Sequence, residues 1–325
     1  MVGRAAAMVS FAEAGELLGE LAGVPVDAKQ VERTAEALGR EIARDERDVI
    51  EPQDPTAPVM YLGMDGTGVP LRPSELTGRA GKQPDGSART REVKLVTVWS
   101  AEGHDEQGVP VRDRGSVSYS AAIESAATLD TDTTLPAFAR RVEREARRRG
   151  FDAAARRVVI GDGAPWIWNV AGELFPGAVE VVDLFHAKGH LSDVAKAIYG
   201  ATGDLGRAWA RERHAELDEG RMDDLLAALR VHAGSSDEAR RCLGYVTANR
   251  ERMRYPEFRA KGLCVSSGVV EAGCKVVVGT RLKRAGMHWT LAGADAIIAL
   301  RCAQLSGRFE AFWERRSQAA RMAAA

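Results

Sequence analysis

Apolar and polar positions follow two different periods along the chain, and the change of period divides it into segments. Between residues 58 and 200, short apolar runs are separated by polar, glycine-containing stretches. Three strands come first, and helix, strand, helix, strand and helix follow. This order predicts an α/β fold with a mixed five-stranded sheet flanked by helices. The predicted strands are 59–64, 92–100, 116–120, 157–160 and 179–182.

Other segments show helical spacing. Residues 11–21 and 28–43 predict two helices joined by a short break, with Asp27 as an N-cap. The pair fits a helix-turn-helix, and it fits a plain helical hairpin equally well. Residues 45–58 are acidic, contain proline and predict a linker. Residues 204–254 are rich in Ala, Arg, Glu and Leu, show no strand pattern and predict an all-helical insertion.

The C-terminal part is predicted to be helical as well. Ser266 and Ser267 offer an N-cap for a helix over residues 268–275, and two more helices are expected at 291–305 and 308–316. The predicted parts of the chain are a helical segment at 1–50, the first part of the α/β domain at 58–200, the helical insertion at 201–262 and the last part of the α/β domain at 263–325.

Composition fits a globular protein and excludes several classes. The chain has 325 residues, of which 45% are hydrophobic and 28% charged, with a net charge of −1. It has no signal-peptide pattern and no apolar run of the roughly 18 residues that a membrane span needs, so we expect a cytoplasmic protein. The four cysteines form no CxxC pair, which predicts reduced thiols. Basic residues cluster at 140–157 and after 275. Each cluster is either a face that binds a polyanion or an ordinary helix face exposed to solvent.

Two predicted strands end in the same way. Asp65 and Asp162 each follow an apolar run and stand next to glycines. If the two strands are neighbours, both carboxylates lie side by side at one edge of the sheet. The glycines Gly66 and Gly68 would then leave room for a metal ion or a ligand to approach closely. Either aspartate alone is also an ordinary turn residue.

A third acid would complete a metal site. Glu271 lies among Val269, Val270 and Ala272, where a charged side chain needs a partner. Adjacent carboxylates repel, and a divalent cation relieves that repulsion. Hard oxygen ligands suit Mg²⁺ or Mn²⁺. Three carboxylates that hold two metal ions are an arrangement for in-line phosphoryl transfer.

Several longer motifs, in this order, resemble the ISKra family of bacterial insertion-sequence transposases, which is related to the Mutator-like group. The sheet order with Asp, Asp and Glu resembles the RNase H-like fold of DDE transposases. The resemblance covers residues 11–316. The motifs are MDGTGVP at 64–70, GKQPDGS at 81–87, TREVK at 90–94, GDGAPWIWN at 161–169, SGVVEAGCK at 267–275 and GMHW at 286–289.

The resemblance implies metal-dependent cleavage and transfer of DNA strands, with Asp65, Asp162 and Glu271 as ligands of two Mg²⁺ or Mn²⁺ ions. It implies DNA as the partner, namely terminal inverted repeats and target DNA, and a homodimer or larger assembly at the nucleoid. Two alternatives stay open at this point. One is a catalytically inactive or truncated DNA-binding remnant, and the other is an RNase H-like nuclease that joins no strands.

Residues 183–186 match an Asp-two-residues-His signature of the Mutator-like group. Asp183 and His186 carry this match, and His190 lies one helical turn further on. We expect the histidines to position the scissile phosphate or a DNA strand. The alternative is a histidine satisfied by hydrogen bonds within the fold. A zinc-peptidase site is excluded, since Ala187 stands where that motif needs Glu.

Basic and aromatic residues supply further candidates for DNA binding. Related transposases often have a basic residue seven positions after the glutamate, where this chain has Val278. Aromatic residues near the acids either stack on bases or belong to the core. The predicted DNA contacts are Lys275, Arg281, Lys283, Arg284, His288 and Trp289, and the tryptophans in question are Trp166, Trp168 and Trp289. A long polar loop after the first strand is made basic by Arg79, Lys82, Arg89 and Arg91.

Overall fold

Five strands form one mixed sheet in the computed structural model, which describes residues 1–50, 57–81, 83–126, 135–266 and 268–324. Lys82, Ser267 and residues 51–56 of the predicted linker lie outside the described residues. The strands are β1 (Val59–Pro70), β2 (Thr90–Ser100), β3 (Ser118–Ala122), β4 (Arg156–Gly161) and β5 (Val179–Val182). A small antiparallel pair, Gly103–His104 with Pro110–Val111, interrupts the turn between β2 and β3.

The strand order across the sheet is β3-β2-β1-β4-β5. The first three strands pair antiparallel, and β4 and β5 continue the sheet from β1 in parallel. This order confirms the predicted mixed sheet and agrees with the RNase H-like fold that the resemblance implies. It also makes β1 and β4 neighbours, which was the condition for bringing Asp65 and Asp162 together.

Helices precede, separate and follow the strands. Before the sheet come α1 (Val2–Met8), α2 (Phe11–Ala22) and α3 (Ala28–Asp48), and between strands come α4 (Ala137–Arg148) and α5 (Pro165–Leu174). After β5 come α6 (Leu184–Tyr199), α7 (Asp204–Glu219), α8 (Met222–Ala233), α9 (Asp237–Asn249) and α10 (Tyr255–Ala260). The chain continues with α11 (Gly268–Gly273), α12 (Leu291–Leu305) and α13 (Phe309–Ala324). The segment predicted to be all-helical is therefore helical.

Two hydrophobic cores lie on opposite faces of the sheet. Alternate residues of β2 point to opposite faces, so Val96 and Val98 join one core, and Val93 and Leu95 join the other. The first core includes α4, α5, α6 and the helices up to α10. The second includes α1, α3, α11, α12 and α13. The N-terminal and C-terminal helices therefore pack together on one face of the sheet.

The N-terminal helices differ in part from the prediction. The helix α1 was not expected, and α3 continues to Asp48 where the linker was predicted to begin. The tertiary contacts explain this extension, because Ile42 is buried and Asp45 and Glu46 pair with arginines from other helices. Asp27 does cap α3 by accepting a hydrogen bond from the Gln30 N–H at 2.8 Å. The α2–α3 pair fits both predicted interpretations.

The first strand is also longer than predicted, since it continues past Asp65 to Pro70. Gly66 and Gly68 stay extended and pair with Lys94 and Glu92 of β2. A Cβ atom on Gly66 would lie 2.3 Å from the Glu92 Oε1 atom, and one on Gly68 would lie 2.9 Å from a Thr90 hydroxyl. The glycines thus make room for side chains of β2. That they also leave room for a metal ion and a ligand such as DNA beside Asp65 stays a prediction.

A π-helical stretch continues α11. Residues Cys274–Gly279 form this stretch, and Thr280–Leu282 return to α-helix. π-Helical turns are uncommon and often occur at functional sites. This π-helical stretch begins three residues after Glu271, one of the predicted site residues.

Candidate active site

Three aspartates stand in a row where three neighbouring strands approach the same edge of the sheet. The ladder between β1 and β4 pairs Gly63 with Ile160, and Asp65 and Asp162 each lie two residues further on. The ladder between β4 and β5 pairs Gly161 with Val182, so Asp183 follows beside Asp162. Residues at equivalent positions of parallel strands point to the same face. The acids line one cavity of about 450 Å³, together with Glu271.

Asp65 is half-buried, as Asp162 is. Its Oδ1 atom accepts a hydrogen bond from the Gly66 N–H at 2.6 Å, and its carboxylate also accepts one from the Cys274 thiol. Burial raises the pKa of Asp65, the two hydrogen bonds oppose that change, and the charge of Asp162 raises the pKa further. The pair of carboxylates therefore favours a positive charge in the cavity.

Asp162 is held by contacts to the loop that follows it and to α9. Its Oδ1 atom accepts a hydrogen bond from the Ala164 N–H at 2.8 Å, and its carbonyl oxygen accepts one from the Tyr245 hydroxyl at 2.8 Å. Gly163 has φ +98°, and a Cβ atom there would lie 2.4 Å from the Tyr245 ring. Tyr245 thus connects the helical segment to the site. No sequence pattern pointed to this role, because Tyr245 is far from the acids along the chain.

Glu271 reaches the cavity from α11, which packs on the face of the sheet that carries Asp65. A Cβ atom on Gly63 would lie 3.0 Å from Val270, which shows how closely α11 approaches β1. The Val270 side chain is buried, whereas Glu271 is exposed to solvent. Contrary to the prediction, the apolar neighbours of Glu271 therefore do not oblige it to have a partner. Glu271 remains a candidate third metal ligand because it lines the same cavity as Asp65 and Asp162.

The fit of these acids to metal ions is partial. Among the described residues, no group of three or more His, Cys, Asp or Glu side chains is arranged to hold a metal ion. Asp65 and Asp162 offer adjacent carboxylates of the hard oxygen type that Mg²⁺ and Mn²⁺ prefer. Glu271 stands across the same cavity. The residues therefore supply the donor chemistry but not a preformed three-ligand site.

The start of α6 forms another wall of the cavity. Asp183 is its N-cap and accepts a hydrogen bond from the His186 N–H at 2.6 Å. The His186 and His190 ring centroids are 4.8 Å apart, and His190 lies 4.4 Å from the Tyr245 ring. Burial and the neighbouring His186 lower the pKa of His190. Asp183 thus has a structural role, and the His190 ring packs within the fold.

Phe185 was not predicted as a site residue. It lines the same cavity and is 67% exposed. A phenylalanine in the first turn of a helix reads in the sequence as part of the core, so the pattern of residues could not reveal its exposure. Its ring faces the space beside the acids.

Two predicted DNA contacts belong to the core instead. Arg281 is fully buried, donates from Nε to the Ala6 carbonyl at 2.9 Å and lies over the rings of Phe11 and Trp289. Trp289 is 7% exposed and donates from Nε1 to the Leu282 carbonyl at 3.0 Å. Trp168 is buried as well, which supports the core interpretation for it. Neither Arg281 nor Trp289 presents its side chain to a DNA surface.

The remaining predicted contacts are exposed. Lys283 donates to the Thr67 hydroxyl at 2.5 Å, so it lies beside β1 just past Asp65. Arg284 forms an ion pair with Glu13 of α2. Lys275 and His288 are exposed to solvent. Among the residues that follow Glu271, Val278 and Arg281 are buried, whereas the basic residues Lys275, Lys283, Arg284 and His288 are exposed.

The basic C-terminal face predicted from the sequence is largely neutralised by ion pairs. Arg308 pairs with Glu145, and Arg301 is buried and donates from Nε to the Val277 carbonyl. Arg315 pairs with Asp45, and Arg316 pairs with Glu41. The second basic cluster behaves similarly, with Arg141 and Arg148 buried against Glu124 and Glu145. The positive charges of these clusters serve the packing of helices.

Comparisons with known proteins add little to this geometry. Neither a family model nor a curated protein matches the chain. Among solved structures, the fold is similar to one described as "Drosophila P element transposase strand transfer complex", with 10% identity and a TM-score of 0.29. The match covers 97% of this chain and 80% of that chain. At that TM-score, the likeness supports no conclusion about this chain. Within the described part of the chain, every helix is too short or too polar to cross a membrane.

Proposed function

We propose that this chain is a DDE-type transposase of the ISKra kind, which cleaves DNA strands and transfers them with the help of divalent metal ions. The observation that carries the proposal is the register of the sheet, which puts Asp65 and Asp162 side by side on neighbouring parallel strands. Glu271 faces the same cavity from α11. The motifs around these three acids, in the order in which they occur, supply the family.

The acids have distinct roles in this proposal. Asp65, Asp162 and Glu271 are the residues that would hold the Mg²⁺ or Mn²⁺ ions. The chemistry that two bound ions supply is activation of the attacking oxygen and stabilisation of the leaving oxygen. The Gly66 and Ala164 N–H groups hold the two aspartates in orientation by hydrogen bonds. Asp183 fixes the start of α6, which brings His186 to the cavity.

The partner in this proposal is DNA. Its substrates are the terminal inverted repeats of an insertion sequence and a target DNA, and the active form is a homodimer or larger assembly at the nucleoid. The exposed residues among the predicted DNA contacts are His186, Lys275, Lys283, Arg284 and His288, of which Arg284 is paired with Glu13. Phosphate contacts by such residues fix the position of DNA without reading its sequence.

The test uses the full-length protein and labelled DNA that carries the inverted repeats flanking its gene. Asp65→Asn, Asp162→Asn and Glu271→Gln should each lower strand cleavage by about 100-fold or more, as loss of a group that stabilises transition-state charge does elsewhere. Asp193→Asn is the matched control, because Asp193 is an exposed acid at the rim of the same cavity and pairs with Lys196. Normal cleavage by Glu271→Gln would refute the triad.

Two further readouts separate the alternatives. Titration calorimetry with Mn²⁺ should show binding that Asp65→Asn abolishes, and a protein without such binding would be a DNA-binding remnant. Strand joining is measured on the same DNA with a pre-cleaved end. Cleavage without joining would identify a nuclease.

A further inference from the structure

The loop between β1 and β2 is folded, not merely polar. It contains a 3-10 turn over Pro73–Glu75 and a bridge between Ala80 and Ser87. Its base is fixed to the segment before α12, because the Arg72 N–H donates to the Trp289 carbonyl at 2.8 Å and the Trp289 N–H donates to the Pro70 carbonyl at 3.2 Å. A loop fixed in this way can present side chains in a constant arrangement.

Two adjoining cavities lie along this loop. One of about 790 Å³ is lined by Arg79, Arg89 and His288, with the buried Leu71 and Leu76 at its floor. The other, of about 430 Å³, is lined by Arg72, by His288 again and by the start of α3. His288 lines both cavities, so they adjoin at that residue. We call the two cavities together the β1–β2 groove.

The groove is rich in unpaired positive charge. Arg72, Arg79 and Arg89 are exposed, and no ion pair joins any of them to another described residue. Burial and the nearby Arg79 lower the pKa of Arg91, which reflects the crowding of cations.

One acid lies close to this charge: hydrogen bonds from Ser87 and, to a smaller degree, the charge of Arg89 lower the pKa of Asp85. Asp85 is the single acid among the described residues that line the larger cavity, and it accepts hydrogen bonds from the Ser87 N–H and hydroxyl. In the smaller cavity, Glu32 pairs with Lys29, and Glu36 pairs with Arg40. The arginines of the groove contrast with those of the C-terminal helices, which have carboxylate partners.

We propose that the β1–β2 groove, rather than the C-terminal helices, holds the sugar-phosphate backbone of DNA next to the carboxylate cavity. Guanidinium groups without carboxylate partners bind phosphate strongly and often in a bidentate manner. That the polyanion is DNA rests on the proposed function; that a polyanion binds here rests on the charge and shape of the groove.

The geometry connects the groove to the acids. Pro70 lies five residue steps after Asp65 on β1, which corresponds to about 17 Å of extended strand. Lys283 lies between them at Thr67. With roughly 3.4 Å between phosphates along the axis of one strand, a backbone seated in the groove would reach the acids after about five nucleotides.

The experiment measures binding of a fluorescent DNA duplex by the full chain between about 50 and 200 mM salt. Arg79→Ala combined with Arg89→Ala should weaken binding about tenfold and lower the slope of log K against log salt by about 2, since two phosphate contacts are lost. Both residues are exposed loop residues, and thermal unfolding should be unchanged. The matched control is Arg211→Ala with Arg230→Ala, which removes two exposed arginines from α7 and α8.

The outcomes separate this inference from the proposed function. An unchanged salt slope in the double variant of Arg79 and Arg89 would contradict DNA binding by the β1–β2 groove. An equal loss of DNA affinity in the control variant would contradict it as well. Tighter binding of an RNA duplex than of the DNA duplex would overturn DNA as the ligand. Asp162→Asn should bind DNA normally while cleavage stops. If Asp162→Asn still cleaves, the proposed function fails and the groove stands.

Discussion

At the scale of single residues, Phe185 keeps an aromatic ring in water beside charged groups. It adjoins Asp183, the cap of α6, and lines the cavity of Asp65 and Asp162. Exposed aromatic rings next to sites that handle single strands serve as stacking surfaces, because every base has a face that can stack. If the proposed function holds, the position of Phe185 suits a base that has left its stack near the bond to be cleaved.

Replacing Phe185 tests this role. We expect Phe185→Ala to weaken binding of a substrate with unpaired bases by about 1–3 kcal/mol, and Phe185→Trp to retain binding. Fluorescence of a 2-aminopurine next to the cleavage site reports stacking directly, and KM should change more than kcat. Leu205→Ala is the control, since Leu205 is exposed to a similar degree on α7. Equal fluorescence in Phe185→Ala and the unaltered protein would contradict the prediction.

At the scale of elements, α11 depends on a glycine for its close approach to the sheet. A Cβ atom on Gly273 would lie 2.8 Å from a Leu95 methyl and 2.9 Å from the Tyr119 ring. The next residue, Cys274, donates its thiol to Asp65, and the π-helical stretch begins there. The position of Glu271 therefore depends on how tightly α11 packs.

Gly273→Ala should destabilise the protein and disturb the site together. We expect a loss of about 1–3 kcal/mol in the free energy of unfolding, because the added methyl overpacks the contact with β2. Cleavage should fall further than the loss of folded protein explains, because Glu271 moves with the helix. Gly172→Ala on α5 is the control. Its Cβ would meet nothing within 4 Å, so we expect no loss of stability there. Full activity of Gly273→Ala would rule this coupling out.

The sequence predicted the elements better than their ends and their contacts. The order of elements along the chain, and the positions of Asp65 and Asp162 directly after apolar runs, follow from apolar runs and turn signals, which are local. That β1 and β4 are neighbours in the sheet was a condition that these signals left open. The extension of β1 through Gly66 and Gly68 depends on pairing with β2, and glycines read locally as a break. The π-helical stretch, the exposure of Glu271 and the contact of Tyr245 with Asp162 arise from packing between distant segments, which no local pattern records.

At the scale of the whole molecule, buried ion pairs connect the N-terminal helices, α4 and the C-terminal helices. Glu145 is fully buried and accepts from Arg308 at 2.8 Å and from Arg148 at 2.9 Å. Arg308 and Arg141 also contact Glu46 of α3. The charges along the chain predicted a basic C-terminal face. The ion pairs that these side chains form across the fold determine which of the charges face water.

This network should make stability depend on acid pH. Burial raises the pKa of Glu145, but Arg308 and Arg148 outweigh burial and bring the pKa down to about 2 from the usual 4.5. A lowered pKa means that the ionised form stabilises the fold above pH 4.5 and that this stabilisation is lost as the pH falls towards 2. Urea unfolding across that range should show the loss.

The variant Glu145→Gln isolates this contribution. It leaves Arg308 and Arg148 without their carboxylate, so the free energy of unfolding at neutral pH should fall by about 3–5 kcal/mol. The acid dependence between pH 4.5 and 2 should become shallower. Glu173→Gln, at an exposed position on α5, should change neither quantity. Equal acid dependence in Glu145→Gln and the unaltered protein would show that other carboxylates dominate.

The row of aspartates has a consequence for how this protein can vary. Neighbouring strands lie about 4.8 Å apart, and backbone hydrogen bonds set that distance. The separation of Asp65 from Asp162 is therefore a property of the main chain, and it persists when the surrounding side chains are exchanged. Successive residues of a strand point to opposite faces, so one residue added or removed between Ile160 and Asp162 would turn that carboxylate away from Asp65. The chain can accept many substitutions around the acids, whereas the lengths of β1 and β4 before them have to stay constant.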